Sequence, residues 1–188
     1  MINIKIGILG GSFNPPHKKH IEIAQKLIDK NYVNKVIIVP TGDNYLRKNN
    51  LVPFEHRYKM LKLLERPGIE ISDISRVDKY AYEILDYYNN GTDEIYFICG
   101  MDNLDDLVTW KNYQYILDNY KLLVIDRPGY YYDELIKRYN SNNIIKTDIE
   151  VSSISSTIVR ERLANSQDVS DCLDERVIEY INNNSLYK

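Results

Sequence analysis

The sequence has little cysteine and no long apolar run. Its two cysteines, Cys99 and Cys172, are far apart among 188 residues and form no pattern of disulfide partners or metal ligands. This usage excludes a disulfide scaffold and is typical of a reducing, cytoplasmic compartment. No stretch approaches the roughly 20 apolar residues that span a membrane. The first residues lead directly into a predicted strand, so we expect neither a membrane segment nor a secretory leader.

An excess of charge of one sign is also missing. The 24 lysines and arginines are balanced by 27 acidic residues, which gives a formal net charge of −3. This balance argues against a nucleic acid as the primary partner, so any basic site must be local. The length predicts a single domain over residues 1–188, large enough for a substantial core.

Two common nucleotide-binding motifs are absent. The sequence has no Gly-x-x-x-x-Gly-Lys-Ser/Thr loop, which excludes a P-loop enzyme. The run Gly7-Ile8-Leu9-Gly10-Gly11 is a poor match to the dinucleotide fingerprint, and no acidic residue ends the second predicted strand. Any phosphate site must therefore be of another kind.

Short apolar runs alternate with helical patterns along the chain. The runs predict strands at residues 4–9, 35–40, 69–73, 94–99, 121–126 and 144–149. The helical patterns lie at residues 17–29, 54–65, 80–88, 105–117, 132–139, 158–165 and 171–184. Near-continuous apolar strands are typical of a parallel sheet buried on both faces. We therefore expect the α/β class, with a single doubly wound, Rossmann-like domain, a central parallel sheet and a C-terminal helical pair.

The most informative stretch follows the first strand and reads Gly10-Gly11-Ser12-Phe13-Asn14-Pro15-Pro16-His17-Lys18-Lys19-His20. Doubly wound sheets bind ligands beyond the carboxyl ends of their strands, where this loop falls. Glycines allow close backbone approach, proline favours a helix start, and the new helix attracts an anion to its N-terminus. His17 and His20 share one helix face, so both imidazoles can reach one phosphate. We interpret residues 10–13 and the two histidines as a phosphate cradle.

A zinc site is the alternative interpretation of the histidine pair. Zinc would need a third ligand. The only other histidine, His56, lies in an amphipathic helical pattern, and the cysteines have no ligand spacing. We therefore expect no metal bound by the protein itself.

A second candidate anion site reads Ile154-Ser155-Ser156-Thr157-Ile158-Val159-Arg160. Hydroxyls and free amides at a helix start bind anions, any of the three hydroxyl residues can cap the helix, and Arg160 lies one turn further in. A capped surface helix with a solvated arginine is the plainer alternative. Together with the phosphate cradle of the first stretch, this second site favours a nucleoside triphosphate as the ligand, because a triphosphate needs more than one anion site.

The end of the fourth predicted strand offers a third site. Gly100 and Asp102 can let a ribose approach and bind its hydroxyls, although a turn with a capping aspartate is compatible with the same residues. Trp110 either belongs to the core or stacks on an aromatic ligand ring. Four basic residues could add phosphate contacts, although each one alone is more typical of a solvated surface: Lys18, Lys19, Arg47 and Lys48.

Together these residues resemble the bacterial nicotinate-nucleotide adenylyltransferases of the nucleotidyltransferase superfamily. The first stretch resembles Gly-Gly-Ser/Thr-Phe-Asp-Pro-x-His-x-Gly-His, and Cys99-Gly100-Met101-Asp102 resembles Ile-Gly-x-Asp. Further matches are His56-Arg57-Tyr58-Lys59-Met60-Leu61, Arg127-Pro128-Gly129, the Ser-Ser-Thr-x-x-Arg stretch ending at Arg160, and the terminal Tyr180-Ile181-Asn182 and Leu186-Tyr187. The resemblance covers nearly the whole chain, and its His and Ser-Ser-Thr motifs specify the superfamily.

The chain departs from this family mainly where the family holds its acceptor. Asn14 replaces the usual Asp and Lys19 the usual Gly of the first motif, and Lys111 follows Trp110 where an aromatic is common. Gly42-Asp43-Asn44-Tyr45-Leu46-Arg47-Lys48 stands in place of a Pro-Pro-His-Lys loop, and Lys79-Tyr80-Ala81-Tyr82 in place of Ser-Tyr-Thr. The resemblance implies an acceptor site made of Asn14, Asn44, Arg47, Lys48, Tyr80, Ala81 and Trp110.

The resemblance implies that the adenylyl group of ATP is transferred to the phosphate of nicotinate mononucleotide, giving deamido-NAD and pyrophosphate. His17, His20 and Arg160 would be catalytic, and Mg²⁺ would be carried in with ATP. ATP would be bound by Gly10, Gly11, Ser12, Phe13, Gly100, Asp102, Ser156 and Thr157. Nicotinamide mononucleotide and phosphopantetheine are alternative acceptors, and a non-catalytic nucleotide-binding regulator is the alternative of another class. We expect a cytoplasmic protein without nucleic-acid or membrane partners and leave homo-oligomerisation open.

Overall fold

A parallel six-stranded sheet organises the computed structural model, which describes residues 3–44, 51–151 and 153–188. Strands β1 to β6 are Lys5–Gly11, Lys35–Pro40, Ile69–Ile71, Glu94–Gly100, Lys121–Ile125 and Ile144–Lys146. Helices α1 to α8 are Lys18–Asp29, Phe54–Lys62, Ala81–Tyr88, Met101–Asp106, Tyr113–Asn119, Tyr132–Ile136, Ser156–Ala164 and Glu175–Asn183. The strands lie in the order β3-β2-β1-β4-β5-β6, and each neighbouring pair is parallel.

This strand order confirms the predicted doubly wound, Rossmann-like α/β class, with α7 and α8 as the C-terminal helical pair. The order reverses between β1 and β4, and the crevice beyond such a reversal is where these sheets bind ligands. Leu9 of β1 lies opposite Ile98 of β4. Because the strands are parallel, Gly11 and Gly100, two residues further along, lie close together at that edge.

The sheet is buried on both faces. Strand side chains alternate between the faces: Leu9 and Ile98 belong to one core, with residues of α1, α2, α7 and α8. Ile8 and Phe97 belong to the other, with residues of α3 to α6. Burial on both faces explains the near-continuous apolar runs of the central strands.

The predicted helix over residues 105–117 is wrong. The chain instead forms α4, a 3₁₀ turn at Leu107–Thr109, and α5. Asn112 takes a left-handed conformation, with φ of 56°, which a continuous right-handed helix cannot contain and which asparagine tolerates well. Because of this break, Trp110 lies in the connection between α4 and α5 rather than inside a helix.

Smaller differences concern the ends of elements. Strands β1 and β4 run on to Gly11 and Gly100, while β3, β5 and β6 are shorter than predicted. Helices α2 and α6 also end early. Helix α8 begins at Glu175 because the Asp174 carboxylate accepts the Arg176 N–H and caps it.

Neither cysteine forms a disulfide, and both thiols are buried. Within the part of the chain that the structure describes, no helix combines the length and apolar character needed to traverse a lipid bilayer.

The two-sided core makes a direct prediction for Leu27 of α1, whose side chain is 0% exposed. The Leu27→Ala substitution should lower the free energy of unfolding by about 2–5 kcal/mol, because it removes buried methyl groups and leaves a cavity. Val77→Ala is the control, since Val77 is 75% exposed and its truncation should cost less than about 0.5 kcal/mol. Chemical denaturation of both variants measures the difference, and equal losses would contradict the assigned core.

Candidate active site

The two histidines of the first stretch form one stacked pair. The chain leaves β1, passes a cis Asn14-Pro15 peptide bond, and enters α1 with His17 as the N-cap. His20 is the third residue of the helix, and its ring lies 3.6 Å from that of His17, centroid to centroid, with 14° between their planes. As their spacing predicts, both imidazoles are on one helix face.

A hydrogen bond determines which nitrogen of His20 can act as a donor. The backbone N–H of His17 donates to His20 Nδ1 at 3.0 Å, so Nδ1 carries no proton. The neutral ring then holds its proton on Nε2. His20 is thereby oriented as an Nε2–H donor, which suits an anionic oxygen.

His17 is uncharged at neutral pH. Burial lowers its pKa from 6.5 to about 4, and the positive charges of Lys19 and Arg127 act in the same direction. Its Nδ1 is buried and forms no hydrogen bond with any described residue. A hydrogen-bond partner for this nitrogen would have to come from outside the described residues.

The second predicted anion site docks directly on this turn. Ser156 Oγ donates to the Pro15 carbonyl at 3.0 Å, and Arg160 Nη1 donates to the Asn14 carbonyl at 2.8 Å. Arg160 Nη2 also donates to Thr157 Oγ1 at 3.3 Å. Two stretches more than 130 residues apart in sequence thus form one continuous structure.

The start of α7 shows which hydroxyl caps it. Ser155 Oγ accepts the Ile158 N–H at 3.3 Å, so Ser155 is the cap among the three candidates. The amides of Ser156 and Thr157 find no acceptor among the described residues. These first-turn amides remain available to an anion.

Asp102, predicted to bind a ribose, is paired with an arginine that we did not predict. Its Oδ1 lies 3.1 Å from Arg127 Nε. A Cβ added to Gly100 would lie 2.4 Å from Asp102 Oδ1 and 3.2 Å from Arg127 Nε, so the glycine makes room for this pair. Arg127 follows β5 as Asp102 follows β4, and the adjacency of these strands could have indicated the contact.

Phe13 supports the histidines from the core. Its side chain is buried, and its ring meets that of His20 edge to face, with centroids 4.7 Å apart. A Cβ on Gly11 would lie 3.0 Å from the Phe13 ring, whereas one on Gly10 would meet nothing closer than 3.8 Å. The Phe13 ring therefore packs inside the protein, and the prediction that the backbone amides of residues 11–13 bind a phosphate stays a prediction.

Arg57 is a structural centre that the sequence interpretation missed. Its fully buried guanidinium donates to the Ser12 carbonyl at 2.9 Å, the Val52 carbonyl at 2.7 Å and Asp43 Oδ1 at 3.1 Å. Burial lowers its pKa, which the Asp43 carboxylate partly offsets. Its spacing in α2, three residues after Phe54, places it on the apolar face, and that pattern could have revealed it.

Asn14, predicted to bind the acceptor, instead has its amide oxygen occupied by the protein. Asn14 Oδ1 accepts the Tyr187 hydroxyl at 2.8 Å and the Val52 N–H at 3.1 Å. Burial raises the pKa of Tyr187, so the phenol remains a donor. No local pattern indicates that the penultimate residue of the chain reaches the loop after β1.

The predicted acceptor residues lie on two neighbouring segments. Asn44 Nδ2 donates to Asp78 Oδ2 at 2.8 Å, so its amide holds the loop after β2 to the segment before α3. Tyr80 is the N-cap residue of α3, which starts at Ala81, and its side chain forms no capping hydrogen bond with a described residue. Lys111 Nζ lies 4.4 Å from the centre of the Tyr80 ring. Arg47 and Lys48 lie outside the described residues.

Trp110 contacts the core and also retains an unused donor. Its ring meets Phe97 edge to face at 5.6 Å. Its Nε1 is buried without a hydrogen-bond partner in the described structure, as is Thr41 Oγ1 in the loop after β2. Buried donors of this kind are commonly satisfied by a ligand or ordered water.

Two further candidates form hydrogen bonds with the C-terminal part of the chain. Lys18 Nζ donates to the Ser170 carbonyl at 2.7 Å. His56, the third ligand that zinc would need, has Nδ1 2.9 Å from the Tyr180 hydroxyl. Within the described ranges, no three His, Cys, Asp or Glu side chains are grouped as a metal site would require.

Comparison with known proteins identifies the family of this chain. The sequence matches the cytidylyltransferase-like family over residues 8–162. It is 33% identical to the "Probable nicotinate-nucleotide adenylyltransferase" of Clostridium acetobutylicum, over 97% of this chain and 98% of that protein. The chain belongs to this adenylyltransferase family. The protein of the same name in Acholeplasma laidlawii is also 33% identical, over 96% of both chains.

A solved structure shares the fold of this family member. It is the nicotinic acid mononucleotide adenylyltransferase of Plasmodium falciparum complexed with NaAD, with a TM-score of 0.82 over 98% of both chains. The two sequences are only 22% identical. The backbone arrangement is thus retained despite extensive change in sequence.

The buried state of His17 predicts a pH dependence of stability. Because its folded pKa of about 4 lies below the ordinary 6.5, the unfolded chain binds a proton first as pH falls. The stability that this group provides is complete above pH 6.5 and is lost as pH falls toward 4. The loss is on the order of 3 kcal/mol.

His17→Gln should therefore flatten the fall in unfolding free energy between pH 6.5 and 4. Denaturant titrations of both proteins at several pH values measure this slope. Parallel curves for the wild type and the variant would contradict the assigned burial of His17.

Proposed function

We propose that this protein transfers the adenylyl group of ATP to the phosphate of nicotinate mononucleotide, releasing pyrophosphate and forming deamido-NAD. The observation that carries the proposal is the junction of the two anion sites. Ser156 and Arg160 of α7 bond to the carbonyls of Pro15 and Asn14, just ahead of the histidine pair. This junction would supply several donors to one triphosphate at the reversal point of the sheet. Membership of the adenylyltransferase family supports the same reaction.

The reaction needs no nucleophile from the protein. A phosphate oxygen of the acceptor attacks the α-phosphorus of ATP and forms a new P–O bond. The bond between the α-phosphorus and the oxygen that bridges to the β-phosphorus breaks, and pyrophosphate leaves with that oxygen. Catalysis then depends on positioning and on stabilising negative charge in the transition state. His20 Nε2–H and the neutral His17 ring would donate to the α-phosphate oxygens. Arg160 and the free amides of Ser156 and Thr157 would hold the departing pyrophosphate.

The ribose of ATP would lie at the end of β4. Gly100 carries no side chain there, and Asp102 Oδ1 is buried without a hydrogen-bond partner among the described residues, although it lies 3.1 Å from Arg127 Nε. The Asp102 carboxylate would accept a ribose hydroxyl. Gly10, Gly11 and Ser12 would contribute backbone rather than side chains to the nucleotide site.

Mg²⁺ would enter with ATP rather than occupy a site of its own. Because no cluster of three or more metal-binding side chains occurs among the described residues, most of its ligands would be triphosphate oxygens and water, as is usual for this ion. Bound there, Mg²⁺ would neutralise charge that builds up on the phosphates.

The pyridine part of the acceptor would lie near Tyr80, Ala81 and Trp110. The unpaired Trp110 Nε1–H and Thr41 Oγ1 provide buried polar groups that an acceptor could satisfy. We also propose that the enzyme acts in the cytoplasm.

A side-by-side assay tests the proposed reaction. The protein is incubated with ATP and Mg²⁺ together with nicotinate mononucleotide, nicotinamide mononucleotide or phosphopantetheine, and pyrophosphate and adenylylated product are measured. We expect the highest kcat/KM with nicotinate mononucleotide. A preference for another acceptor would overturn the substrate assignment, and ATP binding without product from any acceptor would favour a regulator.

His20→Ala should reduce kcat by about a hundred-fold or more, since removing one donor to a transition-state oxyanion costs roughly 2.7–4 kcal/mol. Steady-state kinetics with saturating ATP measure the effect. His56→Ala is the control, because His56 contacts Tyr180 and lies outside the proposed site. Near-normal turnover by His20→Ala would contradict the role of the pair.

A further inference from the structure

The end of α8 returns the chain to the loop after β1. Ser185 takes a left-handed conformation, with φ of 52°, and the chain reverses there. The Ser185 N–H donates to the Asn182 carbonyl at 3.2 Å, and the Leu186 N–H donates to the Ile181 carbonyl at 3.1 Å. These two bonds form the Schellman pattern that ends many helices. The reversal brings Tyr187 back to the first motif.

Tyr187 is held in a conformation that its backbone does not favour. Its φ is 61°, a left-handed value that a bulky residue keeps only where the surrounding contacts outweigh the strain. One such contact is its hydroxyl, which donates to Asn14 Oδ1 at 2.8 Å. The ring also packs against the core that contains residues of α7 and α8. Burial raises the pKa of the phenol, so the hydroxyl keeps its proton and remains a donor.

Asn14 connects this hydroxyl to the proposed leaving-group site. Asn14 is 4% exposed, and its main-chain carbonyl accepts Arg160 Nη1 at 2.8 Å while its side-chain oxygen accepts the Tyr187 hydroxyl. The other terminal nitrogen of Arg160, Nη2, donates to Thr157 Oγ1 at 3.3 Å. Two hydrogen bonds thus orient the guanidinium, and one of them depends on the position of Asn14.

We propose that Tyr187 is a positioning residue for adenylyl transfer, whose hydroxyl orients Arg160 toward the departing pyrophosphate by holding Asn14. This inference rests on the proposed function, in which Arg160 holds the pyrophosphate. A guanidinium binds phosphate oxygens through a rigid planar fork, so its orientation matters as well as its charge. Tyr187 acts through Arg160 and is assigned no contact with the substrates.

The test removes one hydroxyl at a time from the C-terminal segment. Tyr187→Phe keeps the ring and loses the bond to Asn14. Tyr180→Phe is the matched control, because the Tyr180 hydroxyl lies 2.9 Å from His56 Nδ1 instead. Steady-state assays with ATP, Mg²⁺ and the acceptor that the wild type uses best measure kcat. Calorimetric titration with ATP and Mg²⁺ measures Kd, and thermal unfolding shows whether each variant is folded at the assay temperature.

We expect Tyr187→Phe to lower kcat about three- to ten-fold, the range for losing one neutral hydrogen bond. The Kd of ATP should change by less than about two-fold, because Arg160 keeps its charge and loses only its alignment with the transition state. Tyr180→Phe should leave both values unchanged. A hydroxyl that served stability alone would lower the Tm without changing the kcat of the folded protein.

A double-mutant cycle with Arg160→Lys tests the route through Arg160. Lysine keeps the positive charge but lacks the planar fork that can bond to the Asn14 carbonyl and to a phosphate at once. In this background, Tyr187→Phe should lower kcat by less than about two-fold, because the group that the hydroxyl positions has already been removed.

Additive losses in this cycle would overturn the proposal. An unchanged kcat in Tyr187→Phe or an equal loss in Tyr180→Phe would do the same, as would failure of Tyr187→Phe to fold, which would assign the hydroxyl to stability. Failure of the proposed function is distinct from these outcomes and would be seen in the wild type, which would then adenylylate none of the three acceptors. The inference would fall with it.

Discussion

The turn at Asn14 and Pro15 is the point on which the site depends. Its two carbonyl oxygens accept hydrogen bonds from Arg160 and Ser156 of α7, and the next residues begin the helix that carries the histidines. The turn is therefore shared by both anion sites, and a shift of its backbone would move them together. In a reaction that relies on positioning, such a shared support keeps the donors in one geometry.

Hydrogen bonds from other parts of the protein hold this turn in place. Arg57 reaches the Ser12 carbonyl, Asp43 reaches Arg57, and Tyr187 donates to the Asn14 side chain. Each donor or acceptor inside this network would be costly to leave unpaired. The end of the chain and the loop after β2 thus both hold the first motif in place.

The fold and the position of the histidine pair on one helix face could be predicted because they depend on local patterns. Apolar runs of strand length indicated the parallel sheet, and histidines three residues apart indicated one helix face. The hydrogen bonds that hold the turn at Asn14 and Pro15 could not be predicted in the same way, since the contact of Tyr187 with Asn14 joins residues from opposite ends of the chain. The break in the predicted helix at residues 105–117 depends on a left-handed Asn112, which the helical periodicity of the apolar residues did not reveal. Asn14 was assigned to the acceptor from the family resemblance, which does not indicate that its amide oxygen accepts hydrogen bonds from Tyr187 and Val52.

A crystal structure with α,β-methylene-ATP and Mg²⁺ tests the central claim most directly, since this analogue cannot transfer its adenylyl group. The account predicts that one triphosphate bridges the two sites, with oxygens about 3 Å from His20 Nε2 and from the Arg160 guanidinium at the same time. A triphosphate bound to only one of these groups, or elsewhere on the sheet edge, would contradict it.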